Sequence, residues 1–146
     1  MENWHRIRVA GGHELCILER GQGPAVMLLH GIPGSSASWL GVAKLLGAHH
    51  RVLIPDLLGF GQSSRCLDAD TLHAKSQAAL ILEALDALRI DRATLVGHDF
   101  GGPIALMLMA QHPNRVTALG LLSTNTFTDT PIPFPLSATT WPVVLV

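Results

Sequence analysis

A chain of 146 residues is long enough for one domain with a hydrophobic core, and 48% hydrophobic against 14% charged residues excludes a disordered protein. The formal net charge of −1 provides no excess of Lys and Arg for binding nucleic acid, so no nucleic-acid partner is expected. Two cysteines, Cys16 and Cys66, do not make the framework of a disulfide-rich domain. Without a signal peptide or an apolar run of membrane-spanning length, we expect a cytoplasmic protein with no membrane partner.

Short apolar runs in the first part of the chain predict four strands. Ile7 and Val9 alternate with arginines and, with the run at 15–18 beyond a Gly-Gly turn, predict an N-terminal hairpin. The runs at 25–29 and 51–54 are continuously apolar, which is typical of parallel strands buried on both faces.

Two helices are expected to follow these strands. The first spans about 37–46, and its predicted inward face carries Trp39, Val42, Ala43 and Leu46. The second begins at a cap provided by Asp70 or Thr71 and continues to about Leu88, because apolar residues recur at helical spacing along it.

The remaining pattern completes a repeating strand-and-helix order. A strand is expected at 93–96, a helix that begins beyond Gly101 and runs to about Gln111 with Pro103 in its first turn, and a strand at 116–122. This alternation predicts an α/β fold with a doubly wound, mostly parallel sheet. In such a sheet a ligand binds beyond the carboxyl ends of the strands.

One of these strand ends carries a nucleophile pattern. The sequence Gly97-His-Asp-Phe-Gly101 matches the G-x-nucleophile-x-G elbow, in which a strand turns sharply into a helix. Asp99 stands where serine is usual. An aspartate before a helix is more commonly an N-cap, so the pattern alone leaves both functions open.

Two further motifs lie at strand ends upstream of the elbow: His30-Gly-Ile-Pro33, and Asp56-Leu-Leu-Gly-Phe-Gly-Gln-Ser63. In this order the three motifs resemble the α/β-hydrolase superfamily, from the N-terminal hairpin to the strand ending near Leu122. With aspartate at the elbow, the chain is similar to the epoxide hydrolase and haloalkane dehalogenase branch. The resemblance implies a hydrolase that acts on a small apolar electrophilic substrate and needs no cofactor.

The chemistry of a carboxylate agrees with that branch. A free aspartate has a pKa of about 3.9, so it is ionised at neutral pH without an activating base. It suits attack on a saturated carbon bearing a halide or an epoxide oxygen, which forms an alkyl ester that water must then cleave. The tetrahedral oxyanion of that second step needs N–H donors. The resemblance assigns them to the backbone of Ile32 and Phe100, with His30, Gly31 and Pro33 in the supporting loop.

Other polar residues near these motifs have structural explanations. His30 is expected to brace its loop, and His98 is expected to point away from Asp99 because it precedes it on a sharp turn. Asp56 is expected to order the turn after its strand through hydrogen bonds to the backbone. The pair His49-His50 lacks the spaced partners of a metal site, so no metal is expected.

The choice between epoxide and halide follows from elimination. Haloalkane dehalogenases generally have a tryptophan after the nucleophile and often an asparagine in the loop, whereas Phe100 and Ile32 offer no side-chain donor to a halide. Epoxide hydrolases use tyrosines of a cap, and this chain contains no tyrosine. The sequence that follows the elbow, at residues 101–104, resembles that of the dehalogenases more closely. On balance we expect an epoxide, rather than an alkyl halide, as the substrate.

The resemblance also predicts what lies after the core. Residues 1–125 match the N-terminal part of an α/β-hydrolase core, and 126–146 match the start of a cap. Thr124 and Asp129 lie where some relatives place the catalytic acid, but no histidine follows a late strand. We therefore expect an incomplete hydrolase, or alternatively an inert homologue. The strand at 116–122 would then be an exposed edge through which the chain self-associates.

Overall fold

The computed structural model describes residues 2–124 and 144–145, and within them seven strands form one sheet in the order β1-β2-β4-β3-β5-β6-β7. The strands are β1 (Glu2–Arg8), β2 (Glu14–Arg20), β3 (Ala25–Leu29), β4 (Arg51–Pro55), β5 (Ala93–His98), β6 (Val116–Leu122) and β7 (Val144–Leu145). The helices are α1 (Leu40–Leu46), α2 (Ala69–Leu72), α3 (Ala74–Ala87) and α4 (Gly101–Gln111), with 3₁₀ turns at Ala10–Gly12, Ser36–Trp39 and Pro113–Arg115.

The sheet is parallel at its centre and antiparallel at its margins. Strands β4, β3, β5 and β6 pair in parallel, while the hairpin β1-β2 joins β4 in antiparallel fashion. This arrangement confirms the predicted α/β class with a mostly parallel sheet. In the register of β3 and β5, Leu29 lies opposite Gly97, so the loops that follow these two strands meet at one end of the sheet.

Helices cover both faces of the sheet, as expected for a doubly wound fold. Met27 and Leu29 of β3 pack in the cluster that includes α3 and α4, whereas Val26 and Leu28 pack in the cluster on the opposite face with Trp39. Alternate residues of one strand therefore enter two different cores, which is why β3 is apolar throughout.

The helix predicted over 37–46 differs from the observed one. Its first turn is the 3₁₀ segment Ser36–Trp39, and α1 begins only at Leu40. Trp39 and Ala43 are buried as predicted, but Val42 is 40% exposed. The prediction for Val42 was wrong: after the tighter first turn, Ala43 is buried and Val42 lies at the surface.

The helix predicted up to Leu88 is divided. Residue His73 has an extended backbone with ψ of 151°, and it separates α2 from α3. The cap is Asp68 rather than Asp70 or Thr71, since its carboxylate accepts hydrogen bonds from the Asp70 N–H at 3.2 Å and the Thr71 hydroxyl at 2.5 Å. A side chain two or three residues earlier thus satisfies the first donors of the helix.

The edge predicted at β6 is partly covered. Strand β7 pairs antiparallel with Gly120 and Leu121, so the expectation of a bare edge was wrong at these two positions. Residues 126–143, including Asp129, lie outside the described residues. Within the described part of the chain, no helix combines the length and the apolarity that crossing a membrane requires.

Candidate active site

Asp99 lies at the tip of the turn between β5 and α4. Its φ of 51° is in the left-handed region that residues other than glycine rarely adopt. Three hydrogen bonds hold its backbone there. The Asp99 N–H donates to the Leu122 carbonyl at 3.2 Å, and the Asp99 carbonyl accepts from the Gly102 N–H at 3.1 Å and the Thr124 hydroxyl at 2.5 Å. Such a backbone conformation persists only where the surroundings determine it, which is common at functional sites.

The glycines of the elbow allow its elements to approach closely. A Cβ atom at Gly97 would overlap the backbone of Gly101, and one at Gly101 would overlap the carbonyl oxygen of Leu29. A Cβ atom at Gly102 would overlap the side chain of Thr124. The spacing of glycine around Asp99 therefore reflects contact of helix α4 with the strand ends, which a larger residue would prevent.

The carboxylate of Asp99 faces the loop that follows β3. Its Oδ2 atom accepts a hydrogen bond from the Ile32 N–H at 2.8 Å, and Gly31 lies directly beside it. No described residue donates a hydrogen bond to the second oxygen, Oδ1. Phe100 occupies the N-cap position of α4, so its N–H is among the donors at the helix start that have no partner within the helix.

Two open pockets border Asp99. The first, of about 200 Å³, is lined by Gly31, Ile32, Pro33, Gly34, Ser38, His98, Asp99 and Ser123. The second, of about 310 Å³, is lined by Ile32, Asp99, Phe100 and Pro103. The carboxylate therefore stands between a partly polar space and a space with two apolar side chains and a proline.

His98 lies beside this site. Its exposed side chain lines the first pocket together with Asp99, and its ring packs edge-on against Trp39 with 6.4 Å between the ring centroids. The ring packs on Trp39 and forms no hydrogen bond with Asp99 among the described residues, so the expectation that it points away from Asp99 stays a prediction. Strand β5 extends two residues beyond the predicted end at Val96, and this extension carries His98 to the rim of the pocket.

His30 is fully buried, and both of its ring nitrogens have partners in the loops. Nδ1 lies 2.9 Å from the Gly31 carbonyl oxygen, and Nε2 accepts a hydrogen bond from the Leu57 N–H at 3.0 Å. Burial lowers the pKa of His30, although the Gly31 carbonyl and the Asp56 carboxylate raise it in part. A neutral ring with a proton on Nδ1 satisfies both contacts, so His30 joins the loop after β3 to the loop after β4.

Asp56 forms a second connection between these two loops. Its Oδ2 atom accepts from the Gln62 N–H at 2.7 Å, which orders its own turn as the sequence predicts. Its Oδ1 atom also accepts from the Ser36 N–H at 2.6 Å, across to the loop after β3. The aspartate is 1% exposed, so the carboxylate is held by backbone donors in place of water.

Two residues of this region were not identified from the sequence as supports. Gln77 on α3 is buried and makes a pair of hydrogen bonds with the backbone of Leu58, donating to its carbonyl at 2.9 Å and accepting from its N–H at 3.1 Å. Thr124, suggested only as an acid position, donates its hydroxyl to the Asp99 carbonyl. Gln77 could have been noticed as a polar residue on an apolar helical face; Thr124 carries no such signal.

Metal ligands are not gathered at this site. Across residues 2–124 and 144–145, no group of three His, Cys, Asp or Glu side chains is placed to hold a metal ion. The arrangement is instead a carboxylate beside two pockets, with one oxygen held by a backbone N–H and the other accepting no hydrogen bond from a described residue.

Comparison with known proteins matches residues 24–142 to a family model described as the alpha/beta hydrolase fold. The chain is 40% identical over 117 residues to a 2-hydroxymuconate semialdehyde hydrolase of a Pseudomonas species, covering 78% of this chain and 41% of that protein. It is 36% identical over 113 residues to an epoxide hydrolase of Caballeronia sordidicola, covering 77% of this chain and 34% of that protein.

A mutant epoxide hydrolase of Vigna radiata, known from a solved structure, superposes with a TM-score of 0.79 at 30% identity. The match covers 84% of this chain and 38% of that chain. The chain therefore spans less than half the length of these proteins.

Proposed function

Because the chain belongs to the α/β-hydrolase fold family, we propose that it carries the nucleophile of a hydrolase that attacks a saturated electrophilic carbon through an ester on Asp99. The observation that carries the proposal is the different hydrogen bonding of the two oxygens of the Asp99 carboxylate. Oδ2 is held by the Ile32 N–H at 2.8 Å, while Oδ1 accepts no hydrogen bond from any described residue. A carboxylate oxygen that accepts no hydrogen bond from these residues is available to attack an electrophilic carbon.

In the first step, Oδ1 forms a bond to the substrate carbon while the bond from that carbon to the epoxide oxygen or halide breaks. The electron pair of the broken bond leaves with that oxygen or halide. Oδ2 then becomes the carbonyl oxygen of an alkyl ester. Because the Ile32 N–H already donates to Oδ2, this group is oriented before the reaction begins.

In the second step, water adds to the ester carbonyl carbon and negative charge develops on Oδ2. The N–H groups of Ile32 and Phe100 are the proposed donors to this oxyanion. Collapse of the intermediate breaks the bond between the carbonyl carbon and the alkoxy oxygen, and that oxygen takes one proton of the water, which releases an alcohol and restores Asp99 with one oxygen from water. The other proton goes to solvent; with an epoxide it balances the proton that the opened oxygen takes from solvent in the first step. An epoxide would give a vicinal diol, and an alkyl halide would give an alcohol.

We favour an epoxide with a small apolar substituent. The pocket formed with Phe100 and Pro103 presents apolar groups beside Asp99, and neither Phe100 nor Ile32 has a side-chain donor for a halide. One curated relative and the solved structure described above are named epoxide hydrolases. The relative that is named a semialdehyde hydrolase has less bearing on Asp99, since a carboxylate that attacks a carbonyl gives an unstable anhydride.

The test is covalent labelling of the 146-residue protein with styrene oxide, followed by acid quenching and intact-mass measurement. We expect one added epoxide mass, located by peptide mapping at Asp99 and absent from Asp99→Asn. The exposed Asp91 provides the matched control, because Asp91→Asn removes an equal charge far from the pocket and should label normally. Equal labelling of Asp99→Asn, or no labelling of the unaltered protein, would refute the nucleophile and favour the inert homologue.

A further inference from the structure

Residues at and just beyond the end of β6 form hydrogen bonds with the N–H and the carbonyl of Asp99. The Leu122 carbonyl accepts from the Asp99 N–H at 3.2 Å, and the Thr124 hydroxyl donates to the Asp99 carbonyl at 2.5 Å. Ser123 lies between them with a φ of 43°, so the chain turns sharply around the elbow at this point. The residues on either side of Ser123 therefore each form a hydrogen bond with the backbone of Asp99.

The hydroxyl of Thr124 is enclosed at this contact. The residue is 7% exposed, and a Cβ atom at Gly102 would overlap its Oγ1. Helix α4 can approach Thr124 only because residue 102 is glycine. The enclosure leaves the Asp99 carbonyl as the acceptor of the hydroxyl proton and holds the two groups at a fixed distance.

A bond to the Asp99 carbonyl also determines where the next N–H points. The Asp99 carbonyl and the Phe100 N–H belong to one planar peptide unit, and in a trans peptide they point in opposite directions. The Thr124 hydroxyl and the Gly102 N–H both donate to this carbonyl, and fixing it toward them fixes the Phe100 N–H toward the opposite side. A hydrogen bond to the carbonyl oxygen also polarises that N–H and makes it a stronger donor.

We propose that Thr124 is a positioning residue that aims the Phe100 N–H at the oxygen of Asp99 on which negative charge develops. This inference rests on the proposed function, because it assigns Thr124 a part in the hydrolysis of the ester on Asp99. Ester formation uses Oδ1 and the Ile32 N–H, so it depends less on Thr124. The second step, in which Oδ2 becomes the oxyanion, depends on it more.

The experiment compares Thr124→Val, which keeps the shape and removes the hydroxyl, with Thr124→Ser, which keeps the hydroxyl. Styrene oxide is used to form the ester on each protein, excess reagent is removed, and loss of the added mass is followed between pH 7 and 10. We expect loss of the ester to be about tenfold slower in Thr124→Val and near normal in Thr124→Ser, with ester formation changed less than threefold. Thr117→Val, at an exposed threonine of β6, is the matched control.

The amide ¹H and ¹⁵N shifts of Phe100 provide a second measurement that needs no activity. They should move in Thr124→Val and return in Thr124→Ser, while thermal unfolding shows that each variant is folded. Unchanged Phe100 shifts together with an unchanged rate of ester loss would overturn the inference and leave the proposed function intact. An absence of labelling in the unaltered protein would instead refute the proposed function, and the Phe100 shifts would still decide whether Thr124 orients this peptide.

Discussion

The Gly31 Cα lies so close to the Asp99 carboxylate that a methyl group at residue 31 would stand 2.5 Å from Asp99 Cβ and 2.6 Å from Oδ2. The φ of Gly31 is outside the left-handed region, so alanine is allowed by the backbone and excluded by the neighbour alone. We predict that Gly31→Ala displaces Oδ2 from the Ile32 N–H and slows labelling by styrene oxide about a hundredfold. The rate of mass addition under fixed reagent concentration measures this.

A second glycine provides the control for this substitution. A methyl group at Gly41 on α1 would meet nothing within 4 Å. Gly41→Ala should label at the normal rate and raise the free energy of unfolding by about 0.5–1 kcal/mol, since alanine loses less backbone entropy than glycine in a helix. Normal labelling of Gly31→Ala would show that the contact with Asp99 does not set the geometry of attack.

The buried carboxylate of Asp56 is predicted to stabilise the two loops that support the site. Asp56→Asn preserves the shape but has one acceptor oxygen, so its NH₂ group must face either the Ser36 N–H or the Gln62 N–H. We expect the free energy of unfolding to fall by about 1–3 kcal/mol, the usual cost of an unsatisfied buried polar group. Urea denaturation measures the change as a lower midpoint at constant slope.

The exposed Asp91 again serves for comparison. Asp91→Asn should change the free energy of unfolding by less than about 0.5 kcal/mol, as surface substitutions usually do. If Asp56→Asn and Asp91→Asn unfold at the same urea concentration, the connection through Ser36 contributes nothing to stability.

Much of the fold follows from patterns that are local in sequence. The apolar run at 25–29 coincides with β3, because a strand buried on both faces must be apolar throughout, and the segment 116–122 coincides with β6. The elbow was also recognisable, since the close approach of α4 to the strand ends requires glycine on both sides of Asp99. The parallel order of the central strands then brings the loop of Ile32 to Asp99.

The residues that hold the site together were harder to predict. Thr124 contacts Asp99 from 25 positions away, and Ser36 contacts Asp56 from 20 positions away, so neither pairing leaves a local pattern. The interruption between α2 and α3 at His73 was not predicted, for a related reason. Both sides of it have helical spacing, and only the capping of α2 by Asp68 decides where that helix begins.

The neutral, buried His30 predicts a pH dependence of stability. Burial lowers its pKa in the folded protein, so the unfolded chain binds a proton more readily below its own pKa of about 6.5. The stability associated with His30 is therefore complete above that pH and decreases as the pH falls, by at most about 1.4 kcal/mol per unit. Urea denaturation from pH 7.5 to 5.0 should show this slope.

A variant that cannot titrate at this position isolates the contribution of His30. His30→Gln should be less stable at pH 7.5 but lose less stability on acidification, whereas His73→Gln, at a side chain 70% exposed, should keep the slope of the unaltered protein. Glu19 acts in a separate range, because Arg51 lowers its pKa and the stability it contributes is lost only below about pH 4.3. An identical slope between pH 7.5 and 5.0 in His30→Gln and the unaltered protein would exclude His30 as its source.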